Sequence, residues 1–251
     1  SFHLPKAETL NNQQALINEL NKIKLPNIKI VVTGTGRVGH GAKEMLDAMG
    51  LLKVSPTDYL NKTFDEPVYT MLDVLDYNTR IDGNELDRVD FFNNPKDYKS
   101  SFMRFAQESD FYMACHYWDD EAPFIFSRED AKSSDFKIQV VADISCDIDG
   151  PVASTLRPST IADPIYGYNP QTEHEDDYKK DGVITVMAVD NLPCELPNDA
   201  SVGFGKMFAE HVIPAFFNND ATGILNRAMM TSNGKLTAHF GYLQDYVDDK
   251  E

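Results

Sequence analysis

The stretch from Ile28 to Gly41, IKIVVTGTGRVGHG, decides the fold class of this chain. A β-branched apolar run ends in glycines spaced Gly34-x-Gly36-x-x-Gly39, and residues 42–49 then follow a helical pattern. Strand, glycine loop and helix in this order are typical of a dinucleotide-binding βαβ unit. The first glycine allows a tight turn, the second lets a pyrophosphate approach the backbone, and the third lets the helix pack closely on the strand.

The loop and the first helical turn contain the candidate ligands of the dinucleotide, because free N–H groups at a helix N-terminus bind phosphates. They are Gly34, Thr35, Gly36, Arg37, Val38 and Gly39. Arg37 could face the adenosine end of the cofactor or a 2′-phosphate, or it could be an exposed loop arginine. An ordinary tight turn between strand and helix is the alternative interpretation of the motif.

An NAD site usually has an acidic residue about 20 residues beyond the glycines, at the end of the second strand. That strand is predicted at Leu51–Val54, and it is followed by Ser55, Pro56 and Thr57, with Asp58 one step too far. No obvious group therefore contacts the ribose 2′-hydroxyl. The sequence predicts a cofactor that is either NAD or NADP.

The composition is that of a folded protein with an acidic surface. The chain has 251 residues, 42% of them hydrophobic, and a formal net charge of −17. This charge argues against a general binder of nucleic acid or of anionic membranes, which requires clustered Lys and Arg. No apolar run is long enough for a membrane-spanning helix. Cys115, Cys146 and Cys194 lie far apart, form no zinc motif and fit a reducing, cytoplasmic location.

Apolar runs separated by helical patterns predict an α/β fold with a doubly wound parallel sheet, Rossmann-like, and a C-terminal helical tail. The predicted strands are Ile28–Val32, Phe111–Cys115, Ile138–Ile144 and Val183–Val189, with a strand or short helix at Val68–Leu75. Residues 149–182 are predicted to form a long irregular insertion, in which Glu173–Asp177 is a solvated loop. Helical spacing is expected at Ala7–Lys22, Asn94–Ser109, Ala200–Phe217 and Ile224–Val247.

In a parallel α/β sheet, ligands bind beyond the carboxyl ends of the strands, where several carboxylates are predicted. Asp143 and Asp147 flank one such loop and could position an amine substrate or the nicotinamide ribose, while turn formation is the alternative role. Asp190 follows another buried strand and could hold a ribose or orient the substrate. Asp190 and Asp143 are therefore the candidate catalytic residues of this chain.

Two further side chains near strand ends carry reactive groups. His116 could carry a proton, although a lone histidine after a strand is more often a structural hydrogen-bonding residue. Cys146 could act as a nucleophile only beside a base, and the sequence offers no such pairing. We expect both residues to have structural roles.

The strand-end loops together resemble the lysine–2-oxoglutarate reductase and saccharopine dehydrogenase family, which is related to alanine dehydrogenase. The resemblance rests on VVTGTGRVGHGAKE from Val31, YWDDEAPFIFSREDAKS from Tyr117, VADISCDIDGPVASTLRPSTIADPIYGYNP from Val141, VDNLPCELPNDAS from Val189 and MTSNGKL from Met230. It extends over residues 25–247, and DISCD and DNLP are more specific than the glycine loop. Within the family, the chain is most similar to the reductase half of bifunctional lysine-degrading enzymes.

The resemblance implies an NAD(P)-dependent oxidoreductase of lysine metabolism that interconverts lysine plus 2-oxoglutarate and saccharopine. The amino-acid and keto-acid substrates would condense to an imine that accepts hydride from NAD(P)H. By position, Asp190, Asn191 and Leu192 would lie near the nicotinamide ribose, whereas Asp143 and Asp147 would face the substrate cleft. An enzyme similar to alanine dehydrogenase and a non-catalytic nucleotide-binding domain are the alternatives.

Members of the family also carry an N-terminal substrate domain with the acid–base groups, and the sequence contains no counterpart of that domain. We therefore expect residues 1–24 to be a linker helix, residues 25–222 to be the dinucleotide-binding domain and residues 223–251 to be a C-terminal helical segment that returns to the substrate domain. This cofactor portion need not be active alone. The sequence is compatible with a homo-oligomer but does not determine the oligomeric state.

Overall fold

An eight-stranded sheet with helices on both faces dominates the computed structural model, which describes residues 4–250. The strands are β1 (Lys29–Thr33), β2 (Leu52–Lys53), β3 (Val68–Leu72), β4 (Asn78–Arg80), β5 (Tyr98–Ser100), β6 (Phe111–Ala114), β7 (Val140–Asp143), β8 (Ile165–Asn169), β9 (His174–Asp176), β10 (Ile184–Met187), β11 (Thr231–Ser232) and β12 (Lys235–Leu236). The helices are α1 (Gln13–Leu20), α2 (Arg37–Ala48), α3 (Pro56–Asn61), α4 (Arg88–Asn93), α5 (Met103–Ala106), α6 (Arg128–Lys132), α7 (Pro197–Met207), α8 (Ile224–Ala228) and α9 (Gln244–Val247).

The order of strands in the large sheet is β2-β3-β1-β6-β7-β10-β8-β9. The first six of these are parallel, and β8 and β9 add an antiparallel hairpin at one edge. The chain leaves β1 on the side of β3 and later returns to the other side of β1 through β6. A reversal of this kind opens a crevice at the carboxyl ends of the strands. The predicted Rossmann-like α/β class is confirmed.

Side chains along β1 point alternately to the two faces of the sheet, and each face has its own hydrophobic cluster. Val31 faces a large cluster that includes Tyr112 from β6 and Val141 from β7. Ile30 and Val32 point to the opposite face, where α2 covers them in a second, smaller cluster. Because both faces are covered, the central strands are almost entirely apolar, as is expected for a parallel sheet.

Residues 149–182 are irregular only in part, in contrast to the prediction. They contain β8 and β9, which extend the large sheet beyond β10. The acidic stretch Glu173–Asp177, predicted as a solvated loop, supplies the edge strand β9. Pairing with arginine offsets part of its charge, since Arg157 donates two hydrogen bonds of 2.8 and 2.9 Å to the Glu175 carboxylate. Charged side chains on an exposed edge strand also discourage pairing with another sheet.

Two helical predictions in the first part of the chain are wrong in extent. In Asn94–Ser109, the segment Tyr98–Ser100 is a strand, because it pairs antiparallel with β4, and the helical parts are a 3-10 turn at Pro95–Asp97 and α5. In Ala7–Lys22, the helix α1 begins only after Asn12, whose side chain accepts a hydrogen bond from the Ala15 amide at 2.9 Å. Residues 1–3 of the predicted linker lie outside the described residues.

The chain divides into two units between Leu196 and Pro197, and the second unit is mainly helical. Its first helix, α7, continues through a π turn at Phe208–Val212 and a 3-10 turn at Ile213–Phe216. The tail contains α8, a short hairpin, a 3-10 helix and α9, so the predicted C-terminal helical tail is confirmed. Among residues 4–250, no helix has the length and apolar character needed to cross a membrane.

Shortening the side chain of Phe126 to alanine should destabilise the first unit by about 3–5 kcal/mol. The Phe126 ring is fully buried and lies 4.9 Å from the Phe136 ring and 6.2 Å from the Tyr112 ring, measured between centroids. Urea unfolding followed by circular dichroism measures the loss. The exposed control Val89→Ala should change stability by less than about 0.5 kcal/mol. Equal unfolding midpoints for the two variants would contradict this assignment of the core.

Candidate functional site

The glycine motif forms the turn between β1 and α2, and the steric surroundings of its three glycines differ. Gly34 has a φ of +98°, and a Cβ atom there would overlap the carbonyl group of Cys115. A Cβ atom on Gly39 would overlap the carbonyl oxygen of Gly34. Gly36 faces open space, because no residue beyond its chain neighbours has an atom within 4 Å of the position that a Cβ would take. A tight turn, an open face and a close helix contact are the features that a dinucleotide loop requires.

The N-terminus of α2 directs free N–H groups toward the space above Gly36. The helix begins at Arg37, five residues earlier than its predicted start, with Gly36 as the N-cap and no side chain capping it. Gly36, Arg37 and Val38 are exposed, so an anionic group can approach the first turn. With 12 residues, α2 is long enough for its dipole to favour an anion at this end.

A cleft with a volume of about 400 Å³ lies at the reversal point of the sheet. Five of the six predicted loop ligands line it, whereas Gly39 is buried within α2. The other lining residues follow β3 and β6 or belong to α4. The lining consists of Gly34, Thr35, Gly36, Arg37, Val38, Asp73, Val74, Tyr77, Arg88, Phe92, Cys115, His116 and Tyr117.

Asp73 places a carboxylate in this cleft, one residue beyond the end of β3. Thr35 Oγ1 donates a hydrogen bond to Asp73 Oδ2 at 3.2 Å, and Arg88 Nη1 lies 2.9 Å from the same oxygen. The sequence pattern does not identify this acid, because β3 is third in the chain but second in the sheet, beside β1. The sequence feature that could have identified Asp73 is the apolar run at Val68–Leu75, which predicts either a strand or a short helix.

His116 follows β6, and its two ring nitrogens differ in their contacts. Its Nδ1 lies 2.9 Å from Thr33 Oγ1, which lies 2.8 Å from the Tyr112 hydroxyl oxygen. Burial lowers the pKa of His116 to about 4, with the charge of Asp143 opposing the shift, so the ring is neutral near pH 7. Within residues 4–250, Nε2 has no hydrogen-bond partner although it is buried.

The hydrogen-bond chain from Tyr112 assigns the proton on the His116 ring. A buried hydroxyl must donate its proton, and Thr33 is the partner that the structure gives Tyr112. Tyr112 therefore donates to Thr33 Oγ1, and Thr33 donates to His116 Nδ1. The ring proton then lies on Nε2, a buried atom that has no hydrogen-bond partner within the described residues.

An aromatic chamber adjoins the cleft on the side of His116. Its cavity volume is about 60 Å³, and it shares Val74, Tyr77, Phe92, His116 and Tyr117 with the cleft. A flat, largely apolar ring is the kind of ligand that such a wall favours. The rest of its wall is formed by Asn78, Phe91, Pro95, Trp118, Asp119, Ala122, Pro123 and Ile125.

Asp143 ends β7 and is completely buried. Its Oδ1 accepts hydrogen bonds from the Ser145 hydroxyl at 2.7 Å and the Cys146 amide at 3.0 Å. Its Oδ2 accepts a hydrogen bond from the Thr155 hydroxyl at 2.6 Å. Three donors of the protein thus hold the carboxylate and tie the following loop to the strand. Direct contact of Asp143 with a substrate, and a catalytic role, stay predictions.

The structure brings Asp143, Asp147 and Asp190 together around Cys146. Burial raises the pKa of the Cys146 thiol to about 11, and the charges of these three carboxylates add to the shift. The thiol is therefore protonated, and it donates to the Ala188 carbonyl oxygen at 3.2 Å. This geometry gives Cys146 a structural role. Burial, followed by the charge of Asp143, also raises the pKa of Asp147.

The loop after β10 carries the remaining predicted ligands and is open to solvent. Asp190 and Asn191 are exposed, and Leu192 is half-buried at the start of a 3-10 turn, Leu192–Glu195. Since β10 and β1 are parallel strands of one sheet, this loop lies at the same sheet edge as the glycine loop. In the part of the chain that the structure describes, no three His, Cys, Asp or Glu side chains are grouped to hold a metal ion.

The chain is similar over most of its length to alpha-aminoadipic semialdehyde synthases. It is 26% identical over 257 residues to the mitochondrial protein of Mus musculus, an alignment that covers 89% of this chain and 27% of the relative. The protein of Arabidopsis thaliana is 26% identical over 269 residues, with 97% of this chain and 25% of the relative covered. The mitochondrial protein of Rattus norvegicus is also 26% identical, over 257 residues.

These relatives confirm the resemblance found in the sequence. The chain spans about a quarter of the length of the curated relatives that it matches, 27% and 25% for the mouse and plant proteins. No protein-family model matches the chain.

Replacing His116 with glutamine should make folding less sensitive to acid. The pKa is 6.5 for a free imidazole and about 4 for His116, so the unfolded chain takes up the proton first as the pH falls. Wild type should therefore lose up to about 3 kcal/mol of stability from this group between pH 6.5 and 4, and none above that window. Urea unfolding at pH 7 and pH ~4.5 measures the difference.

The matched control for this prediction is His174→Gln, because the His174 ring is exposed on β9. This variant should lose as much stability on acidification as wild type does. If His116→Gln also loses the same amount as wild type, the low pKa of the buried ring is wrong.

Proposed function

We propose that this chain is the cofactor-binding portion of an NAD(P)-dependent oxidoreductase of lysine metabolism that interconverts lysine plus 2-oxoglutarate and saccharopine. The observation that carries the proposal is the uncapped start of α2 above Gly36, at the reversal point of the sheet. The similarity to alpha-aminoadipic semialdehyde synthases supports the substrate class.

The residues of the glycine loop fit a dinucleotide on steric and electrostatic grounds. The absence of a Cβ atom at Gly36 leaves the backbone open to a pyrophosphate, and the first N–H groups of α2 face the same space. The exposed Arg37 guanidinium adds a positive charge beside them. This local charge is sufficient in an acidic chain, because helix N-termini act on anions over short distances. When bound, the cofactor supplies or accepts hydride at its nicotinamide.

The carboxylates beyond β7 and β10 suit a cationic amino-acid substrate. Asp147 and the exposed Asp190 both lie near enough to Cys146 for their charges to raise the pKa of its thiol, and both can attract the ammonium group of lysine. Asp143 holds the loop that carries Asp147 through its three internal hydrogen bonds. Asp190, Asn191 and Leu192 remain the proposed neighbours of the nicotinamide ribose.

The proposed reaction joins two substrates through one carbon–nitrogen bond. The side-chain amine of lysine condenses with the ketone of 2-oxoglutarate, releasing water and forming an imine. Hydride then adds to the imine carbon and a proton to the nitrogen, which gives saccharopine as the reduced nicotinamide is oxidised. The three carboxylates near Cys146 attract the ammonium groups of lysine and repel the carboxylates of the keto acid. We assign the keto-acid contacts and the acid–base groups to the predicted N-terminal substrate domain.

The remaining parts of the proposal concern the organisation of the protein. The proposed segments are residues 1–24 as a linker, 25–222 as the dinucleotide-binding domain and 223–251 as a segment that returns to the substrate domain. A homo-oligomer and a cytoplasmic location are kept as proposals. The mouse and rat relatives are named mitochondrial, so localisation of the natural protein decides between the two compartments.

Placing a methyl group on Gly36 should weaken the binding of NADH without unfolding the protein. The added Cβ meets no protein atom, but it occupies the proposed path of the pyrophosphate. We expect Gly36→Ala to lose at least about 10-fold in affinity for NADH by calorimetry, with an unchanged melting temperature. Gly41→Ala is the matched control, because this position also has no neighbour within 4 Å but lies farther along α2. Wild-type affinity in Gly36→Ala would remove the glycine loop from the proposed site.

The natural protein that contains these residues should oxidise NADH or NADPH only when lysine and 2-oxoglutarate are both present. Absorbance of the reduced nicotinamide measures the rate, and mass spectrometry identifies saccharopine as the product. Omission of either substrate is the internal control. Turnover with pyruvate plus ammonia instead would favour an enzyme similar to alanine dehydrogenase. Binding of the dinucleotide without turnover on either pair would favour a non-catalytic nucleotide-binding domain.

A further inference from the structure

A second cleft, the amino-end cleft, lies at the opposite edge of the large sheet from the glycine loop. Its volume is about 660 Å³, which is within the range of small-molecule sites. Residues that precede β6, β7 and β10 line it, so it lies at the amino ends of these strands. We infer that the amino-end cleft binds a small carboxylate that carries an apolar chain or ring. This inference does not depend on the proposed dinucleotide site.

Apolar side chains line the amino-end cleft and remain exposed to solvent. Val140 is on β7, between β6 and β10 in the sheet, yet it is 37% exposed. Strands inside a parallel sheet normally have both faces covered, so an uncovered valine there is unusual. Tyr178, which is 38% exposed, and the half-buried Phe136 add two aromatic side chains to the lining. A ligand with an apolar part would remove this surface from water.

Three lysines line the amino-end cleft, although the formal net charge of the chain is −17. Lys180 Nζ lies 2.5 Å from Asp176 Oδ1, so the charge of Lys180 is already paired. Lys137 and Lys179 are exposed, and neither forms an ion pair with any residue between positions 4 and 250. Lys179 Nζ instead lies 5.5 Å from the centroid of the Tyr178 ring. Two ammonium groups are therefore available to a carboxylate.

Neighbouring strands bring the two available lysines to the same cleft. Lys137 lies in the loop before β7, and Lys179 lies in the loop before β10. These strands are parallel neighbours, and the Thr185 amide of β10 donates to the Gln139 carbonyl oxygen at 2.9 Å.

Each of these lysines directly follows an aromatic residue, since the two pairs are Phe136-Lys137 and Tyr178-Lys179. Both loops thus combine a positive charge with an apolar contact, and all four residues line the cleft. A ligand that satisfies both groups needs an anionic end joined to an apolar body. Purely charged ligands leave the apolar lining exposed, and purely apolar ligands leave the two ammonium groups unpaired.

Two aspartates also line the amino-end cleft and limit the charge that it can accept. Asp110 Oδ2 accepts a hydrogen bond from the Lys29 amide at 2.8 Å, which holds the start of β1. Asp181 is exposed in the loop before β10, and its charge would repel an anion. Since one exposed aspartate opposes the two available lysines, the lining favours a ligand with one negative charge over a phosphate dianion.

Calorimetry of the 251-residue chain with octanoate, acetate and octanol tests both parts of the inference. We expect octanoate to bind at least about 10-fold more tightly than the other two, because acetate lacks the apolar chain and octanol lacks the charge. Binding of acetate or octanol as tight as that of octanoate would overturn the inference. 2-Naphthoate carries the same charge on a flat ring, and its affinity relative to octanoate decides between a ring and a chain.

Substitutions of exposed residues locate the ligand without disturbing the core. The double variant Lys137→Gln, Lys179→Gln should lose at least about 10-fold in octanoate affinity with an unchanged melting temperature. Lys99→Gln is the matched control, because Lys99 is exposed on β5 and lies outside the cleft. Asp181→Asn should bind octanoate about 2-fold more tightly, since it removes a like charge. Weaker binding by Asp181→Asn would indicate a cationic ligand and contradict the inference.

The outcomes separate this inference from the proposed function. Saturating NADH should leave the octanoate affinity unchanged, because the two clefts lie at opposite edges of the sheet. Competition between NADH and octanoate would place octanoate in the glycine-loop cleft and overturn the inference alone. No binding of octanoate by wild type, or unchanged binding by the double lysine variant, would also overturn it. Failure of the chain to bind NADH counts against the proposed function and leaves the amino-end cleft standing.

Discussion

Backbone contacts at two glycines hold the cleft together. Because Gly34 has no Cβ atom, the turn after β1 lies directly against the end of β6, at the Cys115 carbonyl. Because Gly39 has none either, the first turns of α2 lie against Gly34. A methyl group at either position would overlap main-chain atoms, which move only if a strand or a helix moves. This packing brings the N-terminus of α2 and the ends of β1, β3 and β6 to one point.

The two walls of the cleft differ in chemistry, and the difference suggests the orientation of a ligand. On the side of β3, Asp73 is polar and is held by Thr35 and Arg88. On the side of β6, burial lowers the pKa of His116 and keeps its ring neutral. This ring lies next to the aromatic side chains of the chamber. Between them lies an uncapped helix N-terminus. The cleft therefore combines a polar wall, a helix N-terminus that is open to an anion, and an aromatic wall.

Farther along the sheet, Asp143 organises a second acidic site. A buried carboxylate is costly unless donors surround it, and three hydrogen bonds from Ser145, Cys146 and Thr155 offset that cost. The strand-end loop is therefore rigid where it presents Asp147. Its acidic character suits a cationic ligand, as the proposed function requires.

The sequence by itself determined the α/β class, the glycine loop and the strand-end position of Asp143 and Asp190, because each depends on local sterics or periodicity. It did not determine that Tyr98–Ser100 forms a strand or that Glu173–Asp177 joins the sheet, since distant partners supply the hydrogen bonds. Only the tertiary structure decided that Asp73 stands beside the glycine loop. Strand order depends on how distant segments pack, and chain order alone does not specify it.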